Sequence, residues 1–154
     1  MRIAPGDLAD PAVVAFLEEH VVQLRDVTPP GSSHALDLDG LRGPDVRFWS
    51  ATDDHGHLLG CAALKTLAPD HAELKSMRTA TTRTRQGVAT ALLRHVLAEA
   101  RATGVARVSL ETGSFDFFAP ARALYARHGF VECAPFGDYR PDPHSTFMTL
   151  VLGP

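Results

Sequence analysis

The sequence has few features that indicate an oxidising compartment or a polyanionic partner. Its 154 residues include only two cysteines, Cys61 and Cys133. Both lie in apolar, strand-like surroundings, which favour buried, reduced thiols over a disulfide bridge or a nucleophile. The 15 Lys and Arg residues are offset by 18 Asp and Glu residues, so the formal net charge is −3, and the chain contains no run of basic residues. Nucleic acid is therefore disfavoured as a substrate.

The chain also lacks long apolar runs. No stretch approaches the length that crosses a membrane, and no membrane partner is expected. The first thirty residues hold no signal-peptide core, because they carry Asp7, Asp10, Glu18, Glu19 and Asp26. A cytoplasmic location is the resulting expectation. With 45% hydrophobic residues, residues 1–154 are predicted to form one domain with a core that needs no metal or bridge. The oligomeric state stays open, a homodimer included.

Several motifs of familiar binding sites are missing. There is no G-x-x-x-x-G-K-[ST] pattern for a P-loop and no G-x-G-x-x-G pattern for a dinucleotide fold. The closest histidine pair, His55 and His57, lies in a turn-like segment and lacks a convincing third and fourth ligand, so no metal site is predicted. No Ser–His–Asp or Cys–His constellation is apparent. Any catalysis must therefore use other groups.

One segment does combine a glycine with the start of an amphipathic helix. Residues 84–90 read Thr-Arg-Gln-Gly-Val-Ala-Thr. The free N–H groups and the dipole of a helix N-terminus favour an anion, Arg85 adds a positive charge, and Gly87 lets a phosphate approach the backbone. The alternative is a surface loop before an ordinary core helix. The helix itself, ending near Gly104, is predicted from apolar residues that recur every four positions, namely Val88, Leu92, Val96 and Ala100.

The segments around this helix predict a parallel strand pair. An extended run at 73–79 precedes the helix, and an alternating run at 106–113 follows it. A second helix at 119–128 leads to a short strand from Phe130. A strand–helix–strand unit of this length implies a right-handed crossover, with ligands beyond the carboxyl ends of the strands. The remaining predicted elements are a strand at 2–4, a helix capped by Asp10 and Pro11, a short helix at 34–41, a hairpin of 46–51 and 58–64, and a closing strand at 146–152.

Three of these segments together resemble the GNAT superfamily of N-acetyltransferases. They are residues 73–79, residues 85–93 and residues 121–130, of which the last contains A-x-x-L-Y-x-x-x-G-F. Their spacing agrees with that family as well. The runs at 109–113 and 136–143 look like a branch of bacterial acetyltransferases. The resemblance implies an α/β fold with a GNAT-like mixed, centrally splayed sheet flanked by helices in a single domain, and it implies acetyl-coenzyme A as the cofactor.

The resemblance also implies where the cofactor binds. In that family the backbone N–H near Met77 polarises the acetyl carbonyl, and Arg78 and Thr79 lie along the pantetheine arm. The chain departs from the family pattern at Thr84 and Arg85, where the family usually has Gln or Arg and often Gly, and at Phe118, where Asn is common. The implied cofactor-binding residues are Met77, Arg78, Thr79, Arg85, Gln86, Gly87, Val88, Ala89, Thr90 and Phe118.

Acyl transfer needs a donor for the oxyanion, a donor for the departing thiolate and a route for the proton of the amine. Tyr125, with an unperturbed pKa of about 10, is the predicted general acid toward a thiolate of pKa about 8.5. The alternative is a core tyrosine with its hydroxyl tied to a neighbour. Glu73 and Glu111 are the candidate bases. Each has a simpler alternative: Glu73 could pair with Lys75, and Glu111 could pair with Arg107 or with a loop donor. A third possibility is deprotonation of the amine through water, without a single base.

Acceptor recognition is predicted in two loops. One contains Ser32, Ser33 and His34, and the other runs from Asp138 to Pro143. Tyr139 and Arg140 could bind a ring or a carboxylate, with Arg140 offering two donors, although the second loop is equally well explained as a stiff turn. The predicted substrate residues are His34, Glu111, Tyr139 and Arg140.

The function that these observations favour is an acetyl-coenzyme A-dependent N-acetyltransferase. It is expected to act on a small-molecule or amino-acid-like amine by direct attack of the amine on the thioester. The alternative is a non-catalytic module that binds acyl-coenzyme A and regulates a partner. A proton donor beside the sulfur, at Tyr125, favours the enzyme because a binding module does not need one.

Overall fold

A mixed sheet with helices on both faces makes up the computed structural model, which describes residues 1–29, 38–80 and 87–153. Within these residues the strand order in the sheet is β1-β2-β3-β4-β5-β7-β6. Neighbouring strands are antiparallel except β4 and β5, which are parallel. The predicted α/β fold with a mixed sheet is confirmed. The strands are β1 (Arg2–Pro5), β2 (Val46–Thr52), β3 (Leu58–Ala68), β4 (His71–Thr79), β5 (Arg107–Gly113), β6 (Val131–Glu132) and β7 (Ser145–Val151).

The helices begin and end close to the predicted signals. The Asp10 carboxylate accepts a hydrogen bond from the Ala12 N–H at 2.9 Å, as expected of an N-cap. At the end of the third helix, Gly104 has a φ of 83°, which matches a glycine just past a helix terminus. No helix within the described part of the chain is long and apolar enough to span a membrane. The helices are α1 (Pro11–Val27), α2 (Leu38–Leu41), α3 (Val88–Ala102) and α4 (Ala119–Arg127), and a 3-10 turn at Asp116–Phe118 precedes α4.

Two clusters of buried apolar side chains lie on opposite faces of the sheet. On one face α3 and α4 pack on the strands, and Leu92, Leu93 and Val96 of α3 are fully buried. The other face is covered by α1 and α2. Burial of a leucine or valine side chain contributes about 2 kcal/mol to stability, so these clusters hold the sheet rigidly between its helices. The second cluster consists of Val13, Leu17, Leu41, Phe48, Cys61 and Ala63.

Strands β4 and β5 pair only where they begin. The register joins residues 71–73 to residues 107–109 and then stops. Both strands continue, β4 to Thr79 and β5 to Gly113. They diverge beyond Glu73, and the centre of the sheet opens there. The predicted central splay is confirmed, and backbone groups along the opening have no partner on the strand that diverges from them.

A β-bulge in β4 decides which side chains face α1. Ala63 of β3 pairs with Lys75, and the next registered pair joins Cys61 to Arg78. Two residues of β4 therefore oppose one residue of β3, and Ser76 takes a left-handed φ of 54°. Strand alternation alone would place Lys75 and Arg78 on opposite faces, because they are three residues apart. The extra residue brings both onto the face that packs against α1.

Candidate active site

The opening between β4 and β5 continues into a cleft of about 420 Å³. Its walls come from α1, the second half of β4, the end of β5 and the beginning of α4. Rigid elements thus supply most of the side chains that face the cleft, so their positions are fixed by the fold.

The first turn of α3 lies beside the end of β4. A Cβ built on Gly60 would come within 2.6 Å of the Arg78 carbonyl oxygen and 3.1 Å of the Val88 Cγ1 atom. The absence of a side chain at Gly60 therefore allows the β4 backbone and the start of α3 to approach closely. The sequence between them, residues 81–86, lies outside the described residues. Arg85 and Gln86 are part of it, so their contacts stay predictions.

Gly87 leaves the start of α3 free of side chains. It caps the helix with a φ of 80° and makes no side-chain capping bond. No described atom lies within 4 Å of a Cβ built on it. The first backbone bond of the helix runs from the Ala91 N–H to the Gly87 carbonyl at 3.0 Å, so the N–H groups of Val88, Ala89 and Thr90 have no acceptor within the helix. This is the arrangement that binds anions at helix N-termini.

Tyr125 of α4 faces the cleft from a buried position. Its side chain packs on Phe130, with ring centroids 5.7 Å apart, and 6% of the residue is exposed. Burial raises the pKa of the hydroxyl, so the group stays protonated at any ordinary pH. Its hydroxyl makes no hydrogen bond to the part of the protein that the structure describes. The hydroxyl is thus a free donor in the cleft rather than one tied to a neighbour.

A hydrogen-bonded cluster of Glu73, Lys75 and Tyr139 lies where β4 and β5 part. Tyr139 donates to Glu73 Oε2 at 2.6 Å, and Lys75 donates to the same oxygen at 3.1 Å and to the Tyr139 oxygen at 2.9 Å. The Lys75 and Glu73 side chains are only 9% and 5% exposed. Burial, followed by the charge of Glu73, raises the Tyr139 pKa. The pair of Glu73 with Lys75 is confirmed, and Oε1 of Glu73 makes no hydrogen bond to any described residue.

Glu111 reaches the cleft from the end of β5. It accepts a hydrogen bond from the Ser145 hydroxyl at 2.7 Å, where β7 begins after a loop. Arg107 donates instead to Thr149, at 3.1 Å. The pair of Glu111 with Arg107 is therefore wrong, because the two residues are four positions and about 13 Å apart along β5. The alternative of a loop donor fits, since Ser145 follows the loop before β7.

The Arg78 side chain packs against α1. Its Nη1 donates to His20 Nδ1 at 3.0 Å and to the Gln23 side-chain oxygen, and its guanidinium lies 5.5 Å from the Phe16 ring centroid. The β-bulge thus turns the Arg78 side chain toward α1, and the place of this residue along a cofactor arm stays a prediction. Arg78 also lines the cleft, together with Met77 and Thr79.

The remaining predicted residues are distributed as follows. Phe118 lines the cleft, and its ring packs on the backbone of Gly113, where a Cβ would come within 2.0 Å of the ring. Tyr139 lines the cleft and also a neighbouring cavity of about 670 Å³. Arg140 lines only that second cavity among those described. His34, with Ser32 and Ser33, lies outside the described residues.

The two cysteines and the histidine pair are not among the residues that line the cleft. The predicted turn at His55 and His57 is confirmed, and the His57 ring lies 3.2 Å from the Asp53 carboxylate. Over the described ranges no group of three potential metal ligands occurs. Both cysteines are free thiols, and Cys61 is buried as predicted. The predicted burial of Cys133 is wrong, because this residue directly follows the edge strand β6 and is partly exposed. Burial raises the Cys61 pKa to about 12, so this thiol is neutral.

Comparison with known proteins decides the family. The family model described as "Acetyltransferase (GNAT) family" matches residues 13–130. The chain belongs to the GNAT acetyltransferase family. It is 48% identical over 152 residues to the uncharacterized N-acetyltransferase YsnE of Bacillus subtilis (strain 168), covering 99% of this chain and 100% of the relative. It is also 48% identical over 150 residues to the uncharacterized N-acetyltransferase YedL of Escherichia coli (strain K12), covering 97% and 94%.

A solved structure of low sequence identity shares the fold. The crystal structure of an aminoglycoside 6'-N-acetyltransferase complexed with coenzyme A superposes with a TM-score of 0.74 at 14% identity, covering 100% of this chain and 98% of that chain. As a GNAT acetyltransferase, the chain is an acyltransferase that uses an acyl-coenzyme A donor. The alternative of a non-catalytic module therefore has no support from its relatives.

Two cleft residues of this GNAT acetyltransferase, His20 and Gln23, had no signal in the sequence. Both lie on α1, whose apolar stripe predicts only which side packs on the sheet. The bulge that brings Arg78 to them contains Ser76 in a left-handed conformation. Serine is not a residue type that predicts such a conformation. Only the pairing across β3 and β4 shows why these side chains meet.

The environment of His20 makes stability depend on pH. Burial, and then the positive charge of Arg78, lowers the His20 pKa from 6.5 to about 4. The folded state then binds fewer protons than the unfolded state between these values, so stability is fully present above about pH 6.5 and decreases as the pH falls toward 4. We expect Tm to decrease across this window and to do so less steeply in His20→Asn, whose side chain still accepts from Arg78 but does not titrate. Thermal melts at intervals of half a pH unit measure this, and parallel pH slopes would contradict it.

Proposed function

We propose that this GNAT acetyltransferase transfers the acetyl group of acetyl-coenzyme A to the amine of a small molecule, by direct attack of the amine on the thioester. The observation that carries the proposal is the opening between β4 and β5. Met77 lies in the bulge of β4 without a registered partner on β3 or β5. Tyr125, a protonated donor, faces the same cleft.

The coenzyme A pyrophosphate binds at the start of α3 in this proposal. The N–H groups of Val88, Ala89 and Thr90 and about half a positive charge from the helix dipole stabilise the phosphates. Gly87 leaves the approach open. Arg85 and Gln86 add side-chain donors from the connecting segment. The pantetheine arm then runs along the β4 backbone at Thr79, and Phe118 packs on it from the start of α4.

Catalysis then follows from what surrounds the thioester. The Met77 N–H donates to the acetyl carbonyl and stabilises the oxyanion that forms as the amine attacks. When the C–S bond breaks, the Tyr125 hydroxyl donates a hydrogen bond to the thiolate. Because burial raises the Tyr125 pKa further above that of a thiol, full proton transfer from the phenol is uphill. Tyr125 therefore stabilises the thiolate, and the proton released by the attacking nitrogen completes the coenzyme A thiol.

A carboxylate in the cleft removes the first proton from the acceptor ammonium. Glu73 is the proposed base, because its Oε2 is held by Tyr139 and Lys75 while Oε1 stays available for a water. Glu111, oriented by Ser145, is a second carboxylate that attracts the ammonium group. Glu73 on β4 and Glu111 on β5 outnumber Lys75, so the place where these strands part carries a net negative charge, which suits a cationic amine.

A mixed panel of amines and amino acids tests the proposed function. We expect acetyl-coenzyme A to release free thiol faster with at least one member than in the enzyme-free reaction, with an acetylated amine of matching amount found by mass spectrometry. The control omits the acceptor, which separates transfer from hydrolysis of the thioester. Binding of coenzyme A without thiol release from any panel member would contradict the proposal and favour a binding module.

A further inference from the structure

The α1 wall of the cleft contains a buried positive charge with little compensation. The Arg78 side chain is only 8% exposed, yet the carboxylate that pairs with it belongs to Glu19, whose side chain is 66% exposed and whose Oε1 atom lies 3.8 Å from Arg78 Nη2. An exposed pair at this distance contributes little. The Arg78 Nε atom is buried and has no hydrogen-bond partner in the described structure. A buried guanidinium with an unused donor stabilises an anion placed nearby.

The two α1 neighbours of Arg78 present hydrogen-bond donors beside this positive charge. Arginine donates hydrogen bonds and accepts none. The His20 Nδ1 atom that it contacts is therefore unprotonated, and the Gln23 atom that it contacts is the amide oxygen. Consequently the far ends of both side chains, His20 Nε2–H and the Gln23 amide nitrogen, are donors. Both residues line the cleft, and neither far end donates to another described residue.

We propose that the acceptor is an α-amino acid whose carboxylate binds His20 and Gln23 in the field of Arg78. This inference rests on the proposed function. The amine has to reach the carbonyl held by Met77, and Arg78 is the next residue along a strand that rises about 3.3 Å per residue. Amine and carboxylate must therefore be close together in the acceptor, as they are in an α-amino acid. The ammonium group faces Glu73 and Glu111 on the other side.

Substrate pairs that differ only in the carboxylate test this site. Each L-amino acid of a panel is compared with its carboxamide and its decarboxylated amine at a saturating concentration of acetyl-coenzyme A. We expect kcat/KM for the amino acid to exceed that for the carboxamide by about tenfold or more, because the amide presents no charge to the Arg78 field.

Two variants of Gln23 assign the preference to α1. Gln23→Glu keeps an oxygen acceptor for Arg78 but presents a second oxygen to the cleft in place of the amide nitrogen. Because this oxygen repels a carboxylate, the ratio of kcat/KM for the acid to kcat/KM for the carboxamide should fall about thirtyfold or more. Gln23→Leu removes the donor without adding charge, and the ratio should fall about tenfold. Val22→Ala, at an exposed position on the same helix, is the control, and its ratio should match the wild type. Thermal melts confirm that each variant is folded.

The outcomes separate this inference from the proposed function. A carboxylate preference that Gln23→Glu abolishes or reverses supports the amino-acid site. Equal kcat/KM for acid and carboxamide in the wild type, or a preference that survives in Gln23→Glu, overturns the site while the acetyltransferase proposal stands. If none of the amines, with or without a carboxylate, causes thiol release, both the site and the acetyltransferase proposal are overturned.

Discussion

Replacement of Tyr125 by phenylalanine should lower kcat by about 100-fold or more and leave the dissociation constant of coenzyme A within about twofold. The change removes one oxygen from a buried ring that packs on Phe130. No described residue loses a hydrogen bond, because the hydroxyl makes none to them. The lost interaction is the donor to the thiolate, which exists only as the C–S bond breaks, so the effect falls on kcat.

Steady-state thiol release and calorimetric binding measure the two quantities separately. The unfolding temperature of Tyr125→Phe should stay close to that of the wild type, which excludes a packing defect as the cause. A variant that binds coenzyme A normally and turns over within about threefold of the wild type would show that the leaving thiolate needs no tyrosine. The group that stabilises the thiolate would then have to be sought elsewhere in the cleft.

Replacement of Gly87 by valine should raise the dissociation constant of coenzyme A by about 10-fold to 100-fold. Gly87 has a φ of 80°, which is costly for a residue with a Cβ and most of all for a β-branched one. The backbone would leave the left-handed region and turn the N–H groups of Val88 and Ala89 away from the phosphates. Loss of one charge-assisted hydrogen bond alone costs about 1.5–3 kcal/mol.

Gly104 supplies a matched control for this strain. It lies at the other end of α3 with a φ of 83°, and no described atom lies within 4 Å of a Cβ built on either glycine. Gly104→Val should therefore lower stability by a similar amount, about 1–2 kcal/mol, without weakening the binding of coenzyme A. Equal dissociation constants for the two variants would place the phosphate site elsewhere.

The elements near the opening could be predicted because their signals are local. Asp10 followed by Pro11 marks the start of α1, and the four-residue period from Val88 marks α3. The alternation in 107–113 marks β5. The order strand–helix–strand predicted the parallel pairing of the two strands. Family resemblance supplied the splay, which depends on contacts between distant segments and leaves no local pattern.

The side chains that meet at the α1 wall of the cleft could not be predicted from the sequence, and the reason is physical. A bulge of one residue at Ser76 reverses the face of everything that follows it on β4, so strand alternation points Arg78 the wrong way. The partners of Arg78 come from α1, more than fifty residues away along the chain. Tyr139 likewise reaches Glu73 from a loop whose path the sequence leaves open.

Amide hydrogen exchange, followed residue by residue with and without coenzyme A, tests most directly where the cofactor lies. We expect slower exchange on binding at the Met77 N–H and at the N–H groups of Val88, Ala89 and Thr90, which have no partner on a neighbouring strand or within the helix. The amides around Gly104 should stay unchanged. Saturating binding of coenzyme A that leaves the exchange of Met77 and the first turn of α3 unaltered would contradict the placement of the cofactor between β4 and β5.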